Sequence, residues 1–101
     1  MQEYTVILSP DPDIGGYAVV VPAMPGALTQ GESLQKALSN AAAVMALWLE
    51  VAAERGERPL DETPHVIAAE VESVLADRDE AGWDRHVELV SVQPVHPITA
   101  A

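Results

Sequence analysis

Cysteine is missing from the 101-residue chain, which excludes disulfides, thiolate nucleophiles and thiolate metal sites. Phenylalanine is missing too, and tryptophan and tyrosine occur only twice each, so Val, Leu, Ala, Ile and Met have to fill the core. Cations are scarce. Five Lys plus Arg stand against sixteen Asp plus Glu, a formal net charge of −11. Such a surface repels phosphate backbones, which are bound by clustered cations. It attracts a basic partner and speeds its approach, although solubility alone also explains acidity. No basic stretch followed by an apolar run opens the sequence, and no uninterrupted apolar window nears the ~18 residues of a membrane span. The chain is therefore expected to be soluble and cytoplasmic.

The apolar content, 49%, is enough to exclude disorder over the whole length, and the size fits one domain over 1–101. From Glu3 to Ser9, Tyr4, Val6 and Leu8 alternate with Thr5, Ile7 and Ser9, the period of a strand. Pro10 to Gly16 is dense in turn formers, and Tyr17 to Val21 resumes a β-rich run, giving a hairpin. Pro22-Ala23-Met24-Pro25-Gly26 ends that strand, and Ala27 to Gln30 reads as a third, closed by Gly31. Ser33 can cap a helix over 33–55 whose apolar arc is Leu34, Ala37, Leu38, Ala41, Met45, Trp48, Leu49 and Ala52, with Arg55-Gly56 as its stop. After a linker, Pro59 to Pro64, the spacing of Ile67, Val71, Val74 and Leu75 predicts a second helix from His65 to about Ala81, ended by Gly82. Val87 to Gln93 is a final strand and 94–101 a frayed tail. The fold class is thus α+β, a two-layer β-β-β-α-α-β arrangement: an antiparallel three-strand meander plus a returning strand. A strand returning after a helical crossover is expected to lie parallel to the first.

The turn residues carry a further signal. Gly15-Gly16-Tyr17, Val21-Pro22-Ala23-Met24-Pro25-Gly26, then Thr29-Gln30-Gly31-Glu32-Ser33-Leu34, Ala37-Leu38 and Asn40-Ala41 follow one another at tight spacing. Over residues 4 to about 60 this order resembles the HicB family of antitoxins, with its Gly-Gly-Tyr hairpin, Val-Pro-x-x-Pro-Gly turn and Thr-x-Gly-[Asp/Glu]-[Thr/Ser] helix entry. Each piece also has its own physics. Gly15-Gly16 suits positive φ at a hairpin end, Pro25-Gly26 suits a type II turn, and Gly31-Glu32-Ser33 stops a strand and caps a helix. The resemblance implies a truncated ribonuclease H-like unit that masks the RNA-binding and catalytic surface of a HicA-like toxin, a small basic mRNA-cleaving ribonuclease.

Three departures from that pattern stand out. Lys36 replaces the usual Glu, so no capping box forms, and Ala23 replaces a common Asp. Residues 61–101 hold nine acids against two arginines, a net of −7, in an order that fits no common DNA-reading module, so direct DNA binding is not expected. A homo-oligomer formed through an unpaired sheet edge is expected instead. No catalytic constellation emerges, and neither a cofactor nor a metal is called for. Ser33-Leu34-Gln35-Lys36 matches a Ser-x-x-Lys pattern without its partner motifs. Asp11 and Asp13, with Glu3 or Glu32, sit outside the first strand, where a two-metal nuclease needs a carboxylate. His65, His86 and His96 lack zinc-ligand spacing, and His86 can pair with Glu88. Trp48 falls in the core. Trp83 reads either as an interface anchor or as a cover for the end of the second helix, and with Asp11 and Asp13 it is the candidate partner interface. An orphan oligomeric scaffold or small-ligand binder, and a residual nuclease, are the competing functions.

Overall fold

The structure is a computed structural model that describes residues 2–95. Its elements are β1 (Tyr4–Pro10), β2 (Tyr17–Val20), β3 (Leu28–Gly31), α1 (Leu34–Glu54), α2 (Pro64–Ala81) and β4 (Glu88–Val92). The strands form one antiparallel sheet in the order β3-β2-β1-β4. This is the α+β architecture expected from the sequence. The tail expected over 94–101 lies, from residue 96 onward, outside the described residues.

Strand alternation decides the two faces. Tyr4, Val6 and Leu8 of β1 and Val19 of β2 point toward α1, and with Met24, Ala37, Ala41 and Met45 they make a core without phenylalanine. Ser33 caps α1, its hydroxyl accepting from the Lys36 amide at 3.1 Å. Gly56 closes it in a paired turn, with the Glu57 amide on the Ala52 carbonyl (2.8 Å) and its own amide on Ala53 (3.3 Å). Apolar enough by length and composition for a membrane span, α1 instead packs its small residues on the sheet. Leu34, placed on the apolar arc by periodicity, is 43% exposed because it occupies the first helical position, at the end of the sheet.

Thr5, Ile7 and Ser9 point the other way, and α2 lies over them. Thr63 caps it, Pro64 fills its first position, and Gly82 ends it in the left-handed region. Successive contacts trace the path. Trp48 Nε1 donates to the Pro25 carbonyl (3.0 Å), the Leu60 amide to Ala23, and Thr5 to the Glu62 carboxylate, so α1 runs back to the start of β1. From there α2 runs forward again, and its Arg78 reaches Ser9 and Pro10 at the other end of β1. After β3, which is parallel to β1, the chain reverses three times: into α1, into α2 and into β4. An odd number of reversals brings β4 in antiparallel, from Glu88 opposite Leu8 to Val92 opposite Tyr4. The expected parallel return is therefore corrected: a single-helix crossover gives a parallel strand, and this crossover holds two helices.

Candidate functional site

The sequence-derived residues divide between the two ends of the sheet. At the far end, Pro22 is buried and Met24-Pro25-Gly26-Ala27 closes a turn, the Ala27 amide on the Met24 carbonyl at 2.9 Å and Gly26 at φ +88°. That is the type II geometry, which tolerates glycine at its third position. Asp11, Asp13, Gly15, Gly16, Tyr17, Gly31, Ser33 and Trp83 gather at the other end, around the β1–β2 hairpin and the entry to α1. Asp11 Oδ1 accepts from the Asp13 amide (2.8 Å) and the Ile14 amide (3.1 Å), so that oxygen holds the turn together. Gly31 presses directly on α1: a Cβ there would lie 2.3 Å from the Ala37 nitrogen.

Trp83 completes this end. Its Nε1 donates to Asp13 Oδ2 at 3.3 Å, and its ring lies 5.3 Å from the Arg78 guanidinium. It thus covers the end of α2 and touches the hairpin loop at once. Arg78 is the residue that sequence reasoning missed. Only 2% exposed, it donates to the Asp84 carbonyl (2.6 Å), Ser9 Oγ (2.8 Å), the Pro10 carbonyl (2.5 Å) and Asp84 Oδ1 (3.1 Å). The signal was there, since Arg78 continues the Ile67–Val71–Val74 row at helical spacing. Two other unanticipated contacts seal loose ends. The Glu62 carboxylate takes the Thr5 amide and hydroxyl, which β2 is too short to reach. Asn40 Nδ2 donates to the Gln30 carbonyl on β3 at 2.7 Å.

Between these parts lies a half-open groove of about 580 Å³, bordered by Asp11, Tyr17, Gly31, Glu32, Lys36 and Trp83. Of its carboxylates, Asp11 is held on turn backbone. Glu3 precedes β1 at the opposite end of the sheet. Among the described residues no three His, Asp or Glu side chains converge on a metal position. His86 lies 3.7 Å from Glu88, both well exposed, and His96 is outside the described residues. The arrangement suits binding by shape and charge.

Comparison with known proteins settles the family. A profile described as "HicB_like antitoxin of bacterial toxin-antitoxin system" matches residues 4–98. The chain belongs to the HicB-like antitoxin family. The match runs through α2 and β4. The UPF0150 protein Ta0767 of Thermoplasma acidophilum is 39% identical over 56 residues, 55% of this chain and 80% of that protein. In fold, the chain is similar to the crystal structure of the Burkholderia pseudomallei antitoxin HicB, with TM-score 0.59 and 22% identity, covering all of this chain and 75% of that one.

Proposed function

We propose that this HicB-like chain neutralises a basic, HicA-like mRNA-cleaving toxin by covering the toxin's RNA-binding and catalytic surface. The observation that carries the reading is the family match over residues 4–98. Charge supports it: a molecule of net −11 draws a basic protein toward it, with an attraction that weakens as salt rises. In this reading the chain is one domain over 1–101, makes and breaks no bonds, works in the cytoplasm and does not itself bind DNA. Co-expression tests it. A basic protein encoded in the reading frame beside this chain is expected to arrest growth alone, and the chain to relieve the arrest and co-purify with it. Growth arrest unrelieved by the chain overturns the reading.

The same reading includes a homo-oligomer. Ladder parity turns the main-chain groups of Leu89 and Ser91 outward on β4, an edge with no lysine or proline within the strand. Light scattering at micromolar concentration is expected to give a dimer or larger, and a strict monomer contradicts it. The groove of about 580 Å³ favours a second reading, an orphan oligomeric scaffold or small-ligand binder without a toxin, promoted if no basic protein is encoded nearby.

A further inference from the structure

On the second face of the sheet, α2 covers β1 and leaves the β2–β3 half bare. The register sets Val20 beside Ile7 and opposite Leu28, and Ala18 opposite Gln30, all on this face. Ile7 is fully buried beneath α2, whereas Leu28 is 64% exposed and Ala18 is open. Ile14, at the tip of the neighbouring hairpin, is 87% exposed. These are the two most exposed large apolar side chains among the described residues. An apolar strip left open beside covered strands marks a surface that another molecule covers.

Its surroundings say which kind. Asp11, Asp13 and Glu32 stand at the hairpin end of the bare half, and Glu62 stands at the other end, held on Thr5 of this same face. Of the cations at this end, Lys36 lies on the α1 side of the groove, Arg78 is buried beneath Trp83, and Arg85 is paired with Asp79 at 3.1 Å. A second copy would set these carboxylates against their own like, within a molecule already at −11. A cationic protein has no such conflict. We propose that the bare β2–β3 face, centred on Leu28 and Val20 and bounded by Asp11, Asp13, Glu32 and Glu62, is the docking surface for a basic protein. That partner presents an apolar side chain among its arginines and lysines. The inference rests on the antitoxin reading and adds to it the place of contact.

Three variants separate contact from long-range charge: Leu28→Arg, Leu28→Glu and, as control, Leu47→Arg on the outer flank of α1, where Leu47 is 59% exposed. Affinity is measured against the basic protein encoded beside this chain, with melting curves and light scattering on each variant. Both Leu28 variants are expected to weaken binding more than ~10-fold, the mark of a central contact. Leu47→Arg, which changes charge alone, stays within ~3-fold of the parent. If Leu28→Glu binds as tightly as the parent, the contact lies elsewhere and the proposal falls while the antitoxin reading stands. A Leu28 variant whose mass drops from dimer to monomer assigns the face to a second copy and overturns it as well. If the unmodified chain does not bind the basic protein, the antitoxin reading falls first. Hydrogen exchange on the unmodified complex needs no variant: protection is expected at residues 18–20 and 28–30, and protection confined to α1 overturns the proposal.

Discussion

Replacing Arg78 with methionine tests whether the end of α2 is held by its guanidinium or by ordinary packing. Methionine keeps the apolar stem and removes four hydrogen bonds and the contact with Trp83. Two effects oppose each other. Buried ion pairs often gain little over apolar replacements, because the charges must leave water. Here only one of the four acceptors is charged, and its owner, Asp84, is 74% exposed, so little of that cost has been met by pairing. What methionine leaves behind are the Pro10 and Asp84 carbonyls and the Ser9 hydroxyl, in a partly buried place beside Trp83. A buried acceptor without a partner costs ~1–3 kcal/mol, and the lost cation–π contact adds ~0.5–1 kcal/mol. Relief of desolvation offsets part of this. The expected net loss is ~2–3 kcal/mol, which for a domain of this size lowers Tm by roughly 10–20 °C. Urea unfolding followed by far-UV circular dichroism measures the first figure and thermal melting the second. Arg78→Lys, a point charge unable to span all four acceptors, falls between. If Arg78→Met is within ~0.5 kcal/mol of the parent, or more stable, the guanidinium is not what holds this end.

Gly31→Ala drives a Cβ into the backbone of Ala37, 2.3 Å from its nitrogen and 2.5 Å from its Cα, and neither atom can rotate away. A loss of ~2–3 kcal/mol is expected in chemical denaturation. Gly26→Ala, with open space but φ +88°, loses only ~1 kcal/mol. Removing the Glu62 carboxylate as Glu62→Ala costs ~1–2 kcal/mol and speeds hydrogen exchange at Thr5 while Val19 stays protected. Ser33→Ala removes the α1 cap and costs ~1 kcal/mol in the same denaturation assay.

Local structure was legible because local rules govern it. The period of two in Tyr4 to Ser9, the turn at Pro25-Gly26, the cap at Ser33 and the stops at Gly56 and Gly82 are each set by a few neighbouring residues. What escaped depends on distance. Nothing near Val87 to Gln93 tells which way that strand runs, because its direction follows from counting chain reversals. Arg78 is not singled out by the sequence because arginine is ordinarily exposed, although its spacing from Val74 already places it inward. Asp11, Asp13 and Trp83 stand together as the candidate partner interface by residue type alone, with no spatial signal in the sequence to join them. Their convergence is tertiary: 70 residues separate Trp83 from Asp13, and α2 alone brings them together.

Gly31 against Ala37 also explains how a chain without phenylalanine closes its interior. The helix touches the sheet backbone at its first turns, so the space between them is a wedge, thin at Ala37 and Ala41 and wider where Met45 and Trp48 enter. A wedge reverses the usual pattern of vulnerability. In a deep interior, trimming a bulky side chain does the most harm. At the narrow edge of this one there is nothing to trim, and a single added methyl has nowhere to go.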